Sequence, residues 1–582
     1  MNDNIYLFFE KIIIGVLKNI YDKRLISEDL SCIRVIVEPI TENDFGDFSS
    51  NVAMMYAKRV KMSPQIFGKL IMDELSSFDF ITNINIAGPG FINWTVDREF
   101  LKTFFKKAIK GDYGYTNIGC GKKVNVEYVS ANPTGPLHCG HVRGAVLGDV
   151  LAALLKKVGY DVTKEYYIND YGNQVRILIK SLYERYLEAL GMKTFEPKDG
   201  MYPGEYLKDI AQKVVKEHGD TLTRCNEEDM YNILKKIAIS SLMDDIKSDL
   251  ASLGIKHDVF TSETMLVEQN KVNETIDYLK QKGCIYKGIL DMPKGKVVDD
   301  WEPKEQTLFK TKAFGDDTDR PLIKSDGSWT YFASDIAYHL YKIERGYETI
   351  IDFFGADHGG YVKRMQAAIS ALSDKVELKI LLCQLVKFSD NGKEVRMSKR
   401  AGNFITLRDI IDAVGKDVIR FIMLTRKSES PLDFDFKAVV EQSKMNPVFY
   451  VQYAYARTCS IFRQLKKSFP EFNFDDINGD QINLDSIKLP EEINIIKFLL
   501  DWPRQIVIAA TNYEPHKIAF YLYELASLFH NLWNFGKNNE KLRFIIENDI
   551  ETTKAKIWLV NAVQKVLRSG FDIIGISPLE EL

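Results

Sequence analysis

The chain has 582 residues, 45% hydrophobic and 27% charged, which is a globular balance with material for several domains at roughly 100–200 residues each. That composition excludes disordered, collagen-like and disulfide-stapled proteins, and the net charge of −4 neither advertises nor excludes a local basic track. Seven cysteines without a Cys-x-x-Cys pair argue against a disulfide framework or a zinc ribbon, so no structural zinc is expected and a reducing compartment fits. No positive region opens the chain, so no signal peptide is visible. The apolar run 145–155 is broken by Asp149 and falls far short of the about 20 residues a membrane span needs. A cytoplasmic protein without a membrane partner is expected.

In chain order, an amphipathic start (6–17) leads to a strand-like 33–39, a polar turn (41–46) and a helical 51–60. A strand-like 84–86, the breaker Gly88-Pro89-Gly90 and a strand at 91–96 close a small α+β unit, assigned to residues 1–115. From 124 strands and helices alternate: strand 124–129, helix 140–158, strand 162–168, helix 173–190. A charged, mostly helical insertion follows at about 190–300. The alternation then resumes with strands at 321–324 and 330–332, a helix from 334, a strand at 349–354, a helix from 361 and a strand at 379–383. This pattern predicts an α/β fold, a split doubly wound parallel sheet of Rossmann type over 120–440, with ligands at the carboxyl ends of its strands. Helical periodicity at 449–466, 493–511, 515–535 and 550–567, with a polar loop at 473–485, predicts an all-α bundle over 441–582.

Two motifs carry chemistry. Ala131-Asn132-Pro133-Thr134-Gly135-Pro136-Leu137-His138-Cys139-Gly140-His141 lies between a strand and a helix, with His138 and His141 on one face of the helix start. A helix N-terminus favours phosphate, and two imidazoles there can donate hydrogen bonds to it. Gly140 would let a flat base approach the backbone. A purely structural helix start, or a metal-binding His pair, is the alternative. The second motif, Arg396-Met397-Ser398-Lys399-Arg400-Ala401-Gly402-Asn403, reads as an anion clamp, although a basic loop alone is commonly solvated surface.

Together the two motifs resemble the HIGH and KMSKS signatures of class I aminoacyl-tRNA synthetases. Longer strings narrow the resemblance to bacterial-type arginyl-tRNA synthetases: Val126 to Pro136, Tyr167-Ile168-Asn169-Asp170-Tyr171-Gly172-Asn173-Gln174, Gly355-Ala356-Asp357-His358, and Asn446 to Arg457. Gly88 to Asn93 joins them, so the resemblance spans nearly the whole chain apart from the insertion. Three positions depart from it: Cys139 replaces an aliphatic residue, Arg396 the first lysine of KMSKS and Arg400 its final serine, while Lys399 is kept.

The resemblance implies two steps: activation of L-arginine by ATP with Mg²⁺, then transfer to the terminal ribose of tRNA(Arg). It implies that His138, His141 and Lys399 stabilise the phosphates, with Gly140, Met397 and Ser398 completing the ATP site. Arginine contacts fall on Glu127, Ser130, Asn132, His141, Tyr331, Asp335 and His358, and tRNA contacts on Phe91, Asn93, Tyr450 and Arg457. No resident metal is implied, and a monomer is expected. Bland alternatives stay open: Asp335 as a carboxylate stabilised by a helix dipole, Phe91 and Asn93 as strand packing, and Tyr450 with Arg457 as the wet edge of a core helix. Rival classes are a small nucleotidyltransferase and a tRNA-binding paralogue that has lost catalysis. A dinucleotide oxidoreductase fails, because no Gly-x-Gly-x-x-Gly follows the 124–129 strand.

Overall fold

The computed structural model describes residues 4–40, 45–290, 304–394, 405–441, 446–471 and 482–582. The first elements are α1 (Ile5–Asp22), β1 (Val37–Pro39), β2 (Phe48–Ser50), α2 (Val52–Tyr56), α3 (Pro64–Leu75), β3 (Ile81–Ala87), β4 (Phe91–Val96) and α4 (Arg98–Ala108). The four strands form an antiparallel sheet in the order β1-β2-β4-β3. Phe9 of α1 packs at 4.7 Å from Phe48 and 5.4 Å from Trp94, so the apolar face of the helix covers the sheet. The helical stretch expected at 51–60 is short and ends at Tyr56.

The second part begins with β5 (Lys123–Glu127), α5 (Cys139–Lys157), β6 (Asp161–Ile168), α6 (Asn173–Ala189), α7 (Tyr206–His218), α8 (Glu227–Ser252), β7 (Val259–Ser262), α9 (Glu263–Glu268), α10 (Lys271–Gln281) and β8 (Ile285–Gly288). It continues through β9 (Gln306–Phe309), β10 (Arg320–Ile323), α11 (Tyr331–Glu344), β11 (Thr349–Gly355), α12 (Val362–Leu372), β12 (Glu377–Cys383), β13 (Val386–Asp390), β14 (Lys393–Glu394), α13 (Leu407–Val414), α14 (Lys416–Ile422), β15 (Leu432–Asp435) and α15 (Phe436–Val440). The main sheet, β12-β11-β5-β6-β7, is parallel throughout. Winding runs outward from β5 in one direction and from β11 in the other, so the crevice of a doubly wound sheet opens where these neighbours end.

Two expectations are corrected. The 190–300 stretch is not simply a helical insertion: β7 within it is the fifth strand of the main sheet, and β8 joins the antiparallel β10-β9-β8 sheet. The 330–332 segment is not a strand. Thr330 reads as strand because it is β-branched, but its hydroxyl accepts from Ala333 N at 3.3 Å and caps α11.

The bundle consists of α16 (Pro447–Ser468), α17 (Pro490–Leu500), α18 (Trp502–Thr511), α19 (His516–Asn538) and α20 (Ile550–Ile574). The single helix expected at 493–511 is two, because Pro503 can only stand in the first turn of a new helix. One hydrophobic core runs from the first sheet through α5 into this bundle. Lys102 and Lys106 of α4 donate to the carbonyls of Leu484 (3.1 Å) and Ile482 (2.7 Å), and Tyr113 donates to that of Leu499 (2.9 Å).

Candidate active site

At the end of β5 the chain turns hard: Val129 and Ser130 have φ of 72° and 37°. For a β-branched residue that geometry costs about 1–3 kcal/mol and must be held by its surroundings. Ser130 Oγ donates to Glu127 Oε1 (2.8 Å) and accepts from Tyr167 N (3.0 Å), while Tyr128 OH donates to Asp149 Oδ1 on α5 (3.2 Å). Asn132 donates to Gln174 Oε1 at 2.7 Å.

Below this turn lies a buried charge cluster. Lys342 Nζ, on α11, donates to Glu127 Oε2 (2.5 Å) and Asp352 Oδ1 (3.0 Å). Burial would strip its proton, but the two carboxylates outweigh that and raise its pKa. Burial opposes the charge of Asp352 too, yet Lys342 and His339 hold its pKa down to about 2. His339 offers Nδ1 to the Asp335 carbonyl (2.7 Å) and Nε2 to Asp352 (2.8 Å); both partners are acceptors, so the ring is an imidazolium, in line with its raised pKa. Burial drives the Glu127 carboxyl upward, with Lys342 opposing.

On α11, Tyr331, Asp335 and His339 follow one another at helical spacing down one face towards Lys342. Tyr331 is exposed at the rim, and Asp335 accepts a hydrogen bond from Tyr361 OH. The buried phenol of Tyr167 gathers the acidic groups. Burial raises its pKa, and the charges of Glu263, Asp335, Glu127 and Asp170 raise it further. Tyr167 stacks on Tyr338 at 4.4 Å, and the buried Tyr167 hydroxyl has no hydrogen-bond partner. Glu263, only 5% exposed, has its pKa pushed up to about 7 by burial and then by Asp335 and Asp170. The result is a site with an excess of carboxylates near the switch point of the sheet. It suits a ligand that is a planar cation with several N–H donors.

Sequence reasoning missed Glu263, Tyr361 and Lys342, and gave Asp170 no role. Asp170 is fixed by Ser262 Oγ (2.7 Å) and Thr264 N (2.8 Å), and so braces the start of α9. The β-rich Val259-Phe260-Thr261, followed by Ser262 as a helix cap, was the signal that a strand end and a site residue lay there. His358 has an exposed side chain beside Asp357 and lies edge-on to Phe354, which also packs on Tyr361.

Opposite the pocket, His138 caps α5. Its Nδ1 accepts from Gly140 N (3.1 Å), and His141 Nδ1 accepts from His138 N (3.2 Å), with the rings stacked at 3.9 Å. Because both Nδ1 atoms accept, each neutral ring carries its proton on Nε2. A Cβ at Gly140 would lie 2.9 Å from the His138 ring. Buried Arg143 anchors this helix start by donating to the carbonyls of Gln384 (3.1 Å), Ser430 (2.7 Å) and Lys427 (2.8 Å). Cys139 N also donates to the Ile405 carbonyl (3.1 Å), and Leu407 N to that of Leu137 (2.8 Å). Segment 405–407 is thereby stitched to the histidine loop. Arg396, Met397, Ser398, Lys399 and Arg400 lie outside the described residues.

Far from the pocket, Phe91 is exposed, whereas Asn93 is buried and accepts from Ser49 Oγ at 2.7 Å. Arg457 stacks over Tyr453 (4.2 Å) and Trp533 (5.3 Å) and bonds His530 Nδ1 at 2.7 Å, and Tyr450 packs on Tyr523 at 5.1 Å. No disulfide joins the seven cysteines, and among the described residues no helix is long and apolar enough to cross a membrane.

Residues 107–457 match the family model of the class I (R) tRNA synthetase catalytic domain, which agrees with the parallel sheet and the histidine-capped helix. The fold and site thus define a class I tRNA synthetase. Residues 8–96 match the arginyl tRNA synthetase N terminal domain, and 451–582 the DALR anticodon binding domain. The chain belongs to the arginyl-tRNA synthetase family. It is 48% identical over 582 residues to the arginine–tRNA ligase of Ruegeria pomeroyi and 46% identical to that of Parvibaculum lavamentivorans, covering 100% of each chain in both cases. Its fold is also that of Thermus thermophilus arginyl-tRNA synthetase, with a TM-score of 0.74, 19% identity, and coverage of 98% of this chain and 100% of that one.

Proposed function

We propose that the protein is an arginine–tRNA ligase. It joins arginine to ATP as arginyl-adenylate, releasing diphosphate, and then passes the arginyl group to the 3′-terminal ribose of tRNA(Arg), releasing AMP. The observation that supports arginine is the set of carboxylates Glu127, Asp335, Asp170 and buried Glu263 that β5, α11 and the β6 and β7 ends bring to one edge of the sheet. A guanidinium presents a fork of donors that carboxylates can meet with parallel bonds; a compact ammonium such as lysine's leaves some of them unmet. In this arrangement Asp335 and Glu263 take the guanidinium, Glu127 and Ser130 the α-ammonium, and Asn132 lines the same turn.

The nucleophile in the first step is arginine's own carboxylate, which attacks the α-phosphorus, so the protein's task is orientation and charge stabilisation. His138 and His141 donate from Nε2 to phosphate oxygens at the positive end of α5. Gly140, Met397 and Ser398 complete the nucleotide site and Lys399 serves the departing diphosphate, as the family resemblance implies. Magnesium enters with ATP and neutralises charge on its phosphates; among the described residues no group of three or more His, Cys, Asp or Glu side chains is arranged to hold a metal ion. On this reading residues 120–440 perform the chemistry, while 1–115 and 441–582 hold tRNA, with Phe91 and Tyr450 on the contacting surfaces. The enzyme works in the cytoplasm, a reading supported by seven cysteines without a disulfide.

The test is arginine-dependent ATP–diphosphate exchange on the purified protein, with and without tRNA, with lysine and other amino acids alongside. Exchange that requires arginine is expected, and we expect it also to require tRNA. Exchange with another amino acid refutes the pocket, and full exchange without RNA refutes the coupling.

A further inference from the structure

Arg420 of α14 is 1% exposed, and its guanidinium meets three separate parts of the chain. Nη2 donates to Asp149 Oδ2 on α5 (2.6 Å), Nη1 to the Leu253 carbonyl just beyond α8 (3.2 Å), and Nε to the carbonyl of Ile574, the last residue of α20. Gly575 follows with φ 76°, and a Cβ there would lie 2.6 Å from Nη2, so the backbone passes flush over the guanidinium where only glycine fits. The buried charge is therefore fully engaged, by one carboxylate and two carbonyls. Asp149 carries the chain of contacts onward: its Oδ1 accepts from Lys164 Nζ (3.2 Å) and from Tyr128 OH (3.2 Å). Tyr128 adjoins Glu127 and opens the strained turn at Val129 and Ser130. Asp149 also lies on the helix that His138 caps.

We propose that Arg420 is a positioning residue for arginine activation: through Asp149 and Tyr128 it fixes the turn after β5, and the helix that presents His138 and His141, to the end of the last bundle helix. The inference rests on the proposed function, in which that bundle holds tRNA. Arg420 touches no substrate. It sets where Glu127 and Ser130 stand relative to the bundle that holds the RNA, so the bundle and the reacting centre share one joint. A displacement of about 1 Å at a reacting centre can cost about a hundredfold in rate, so loosening the joint acts on turnover.

The test compares arginylation by wild type, Tyr128→Phe, Arg420→Lys and Lys102→Gln, with kcat expressed per folded molecule and melting temperature recorded. Tyr128→Phe removes one hydroxyl and cuts the last link. Lys102→Gln loosens the same bundle from α4 without touching the joint. Tyr128→Phe and Arg420→Lys are expected to lower kcat about tenfold while the KM for tRNA stays within about twofold, and Lys102→Gln to lower only the melting temperature. Wild-type kcat in Tyr128→Phe overturns the proposal, as does an equal kcat loss in Lys102→Gln. If Arg420→Lys does not fold, Tyr128→Phe decides alone. A wild-type protein that forms no arginyl-tRNA overturns the functional reading as well, and is recognised before any variant is compared.

Discussion

Glu127 on β5 and Asp352 on β11 are register partners on adjacent parallel strands, two carboxylates side by side at the floor of the crevice. Like charges so placed repel, and Lys342 between them is what makes the pair tenable. Replacing it by methionine leaves the buried Glu127 without an ion-pair partner and Asp352 with His339 alone. Lys342→Met should therefore lose about 3–5 kcal/mol of unfolding free energy in a urea titration, and a loss below about 1 kcal/mol would contradict the cluster.

His138 has two roles that separate on measurement. As a helix cap its removal costs about 0.5–2 kcal/mol of stability. As a phosphate donor its removal costs about 10²–10³-fold in rate. His138→Ala should thus exchange ATP and diphosphate at least a hundredfold more slowly (~10²), with only a small drop in melting temperature. Near-wild-type exchange would reduce the residue to a cap.

Glu263 supplies a pH dependence whose sign can be worked out. Its pKa of about 7 in the folded protein lies above the ordinary 4.5, so the folded empty site holds a proton that the unfolded chain gives up. That contribution to stability is full below the unfolded pKa and is lost as pH rises towards 7. Glu263→Gln should therefore melt with the wild type at pH 5 and above it at pH 8. Arginine, as a cation, favours the ionised carboxylate, so its KM should fall between pH 6 and 8 in the wild type. A KM slope that survives in Glu263→Gln would assign the titration elsewhere.

Tyr361 orients Asp335 through its hydroxyl. A hydrogen bond to a charged group contributes about 1.5–3 kcal/mol, so Tyr361→Phe should raise the arginine KM roughly tenfold or more and narrow the preference for arginine over lysine. Asp335→Asn should exceed it. Equal KM values for Tyr361→Phe and wild type would detach the phenol from the pocket.

The doubly wound sheet and the bundle were legible because their apolar periods are long and their motifs fall on strand ends. His138, His141, Glu127 and Ser130 could be picked out as candidates because they stand at the end of β5, at the start of α5 or in the loop between them. Glu263 was hidden because β7 spans only four residues and follows a long helical stretch, so a local pattern could not reveal that it pairs with β6, some ninety positions earlier. Lys342 and Tyr361 were hidden differently. A lysine on a helix reads as solvated surface, and only the tertiary fold shows that this one is enclosed between two strands.

Arg143 grips Gln384, Lys427 and Ser430 through their main-chain oxygens, not their side chains. The donor's identity is therefore constrained while that of these acceptors, and of Arg426 as a fourth (3.4 Å), is not. Among relatives, positions 384, 427 and 430 can drift freely in residue type without covarying with 143, whereas an insertion or deletion between them would break the anchorage outright.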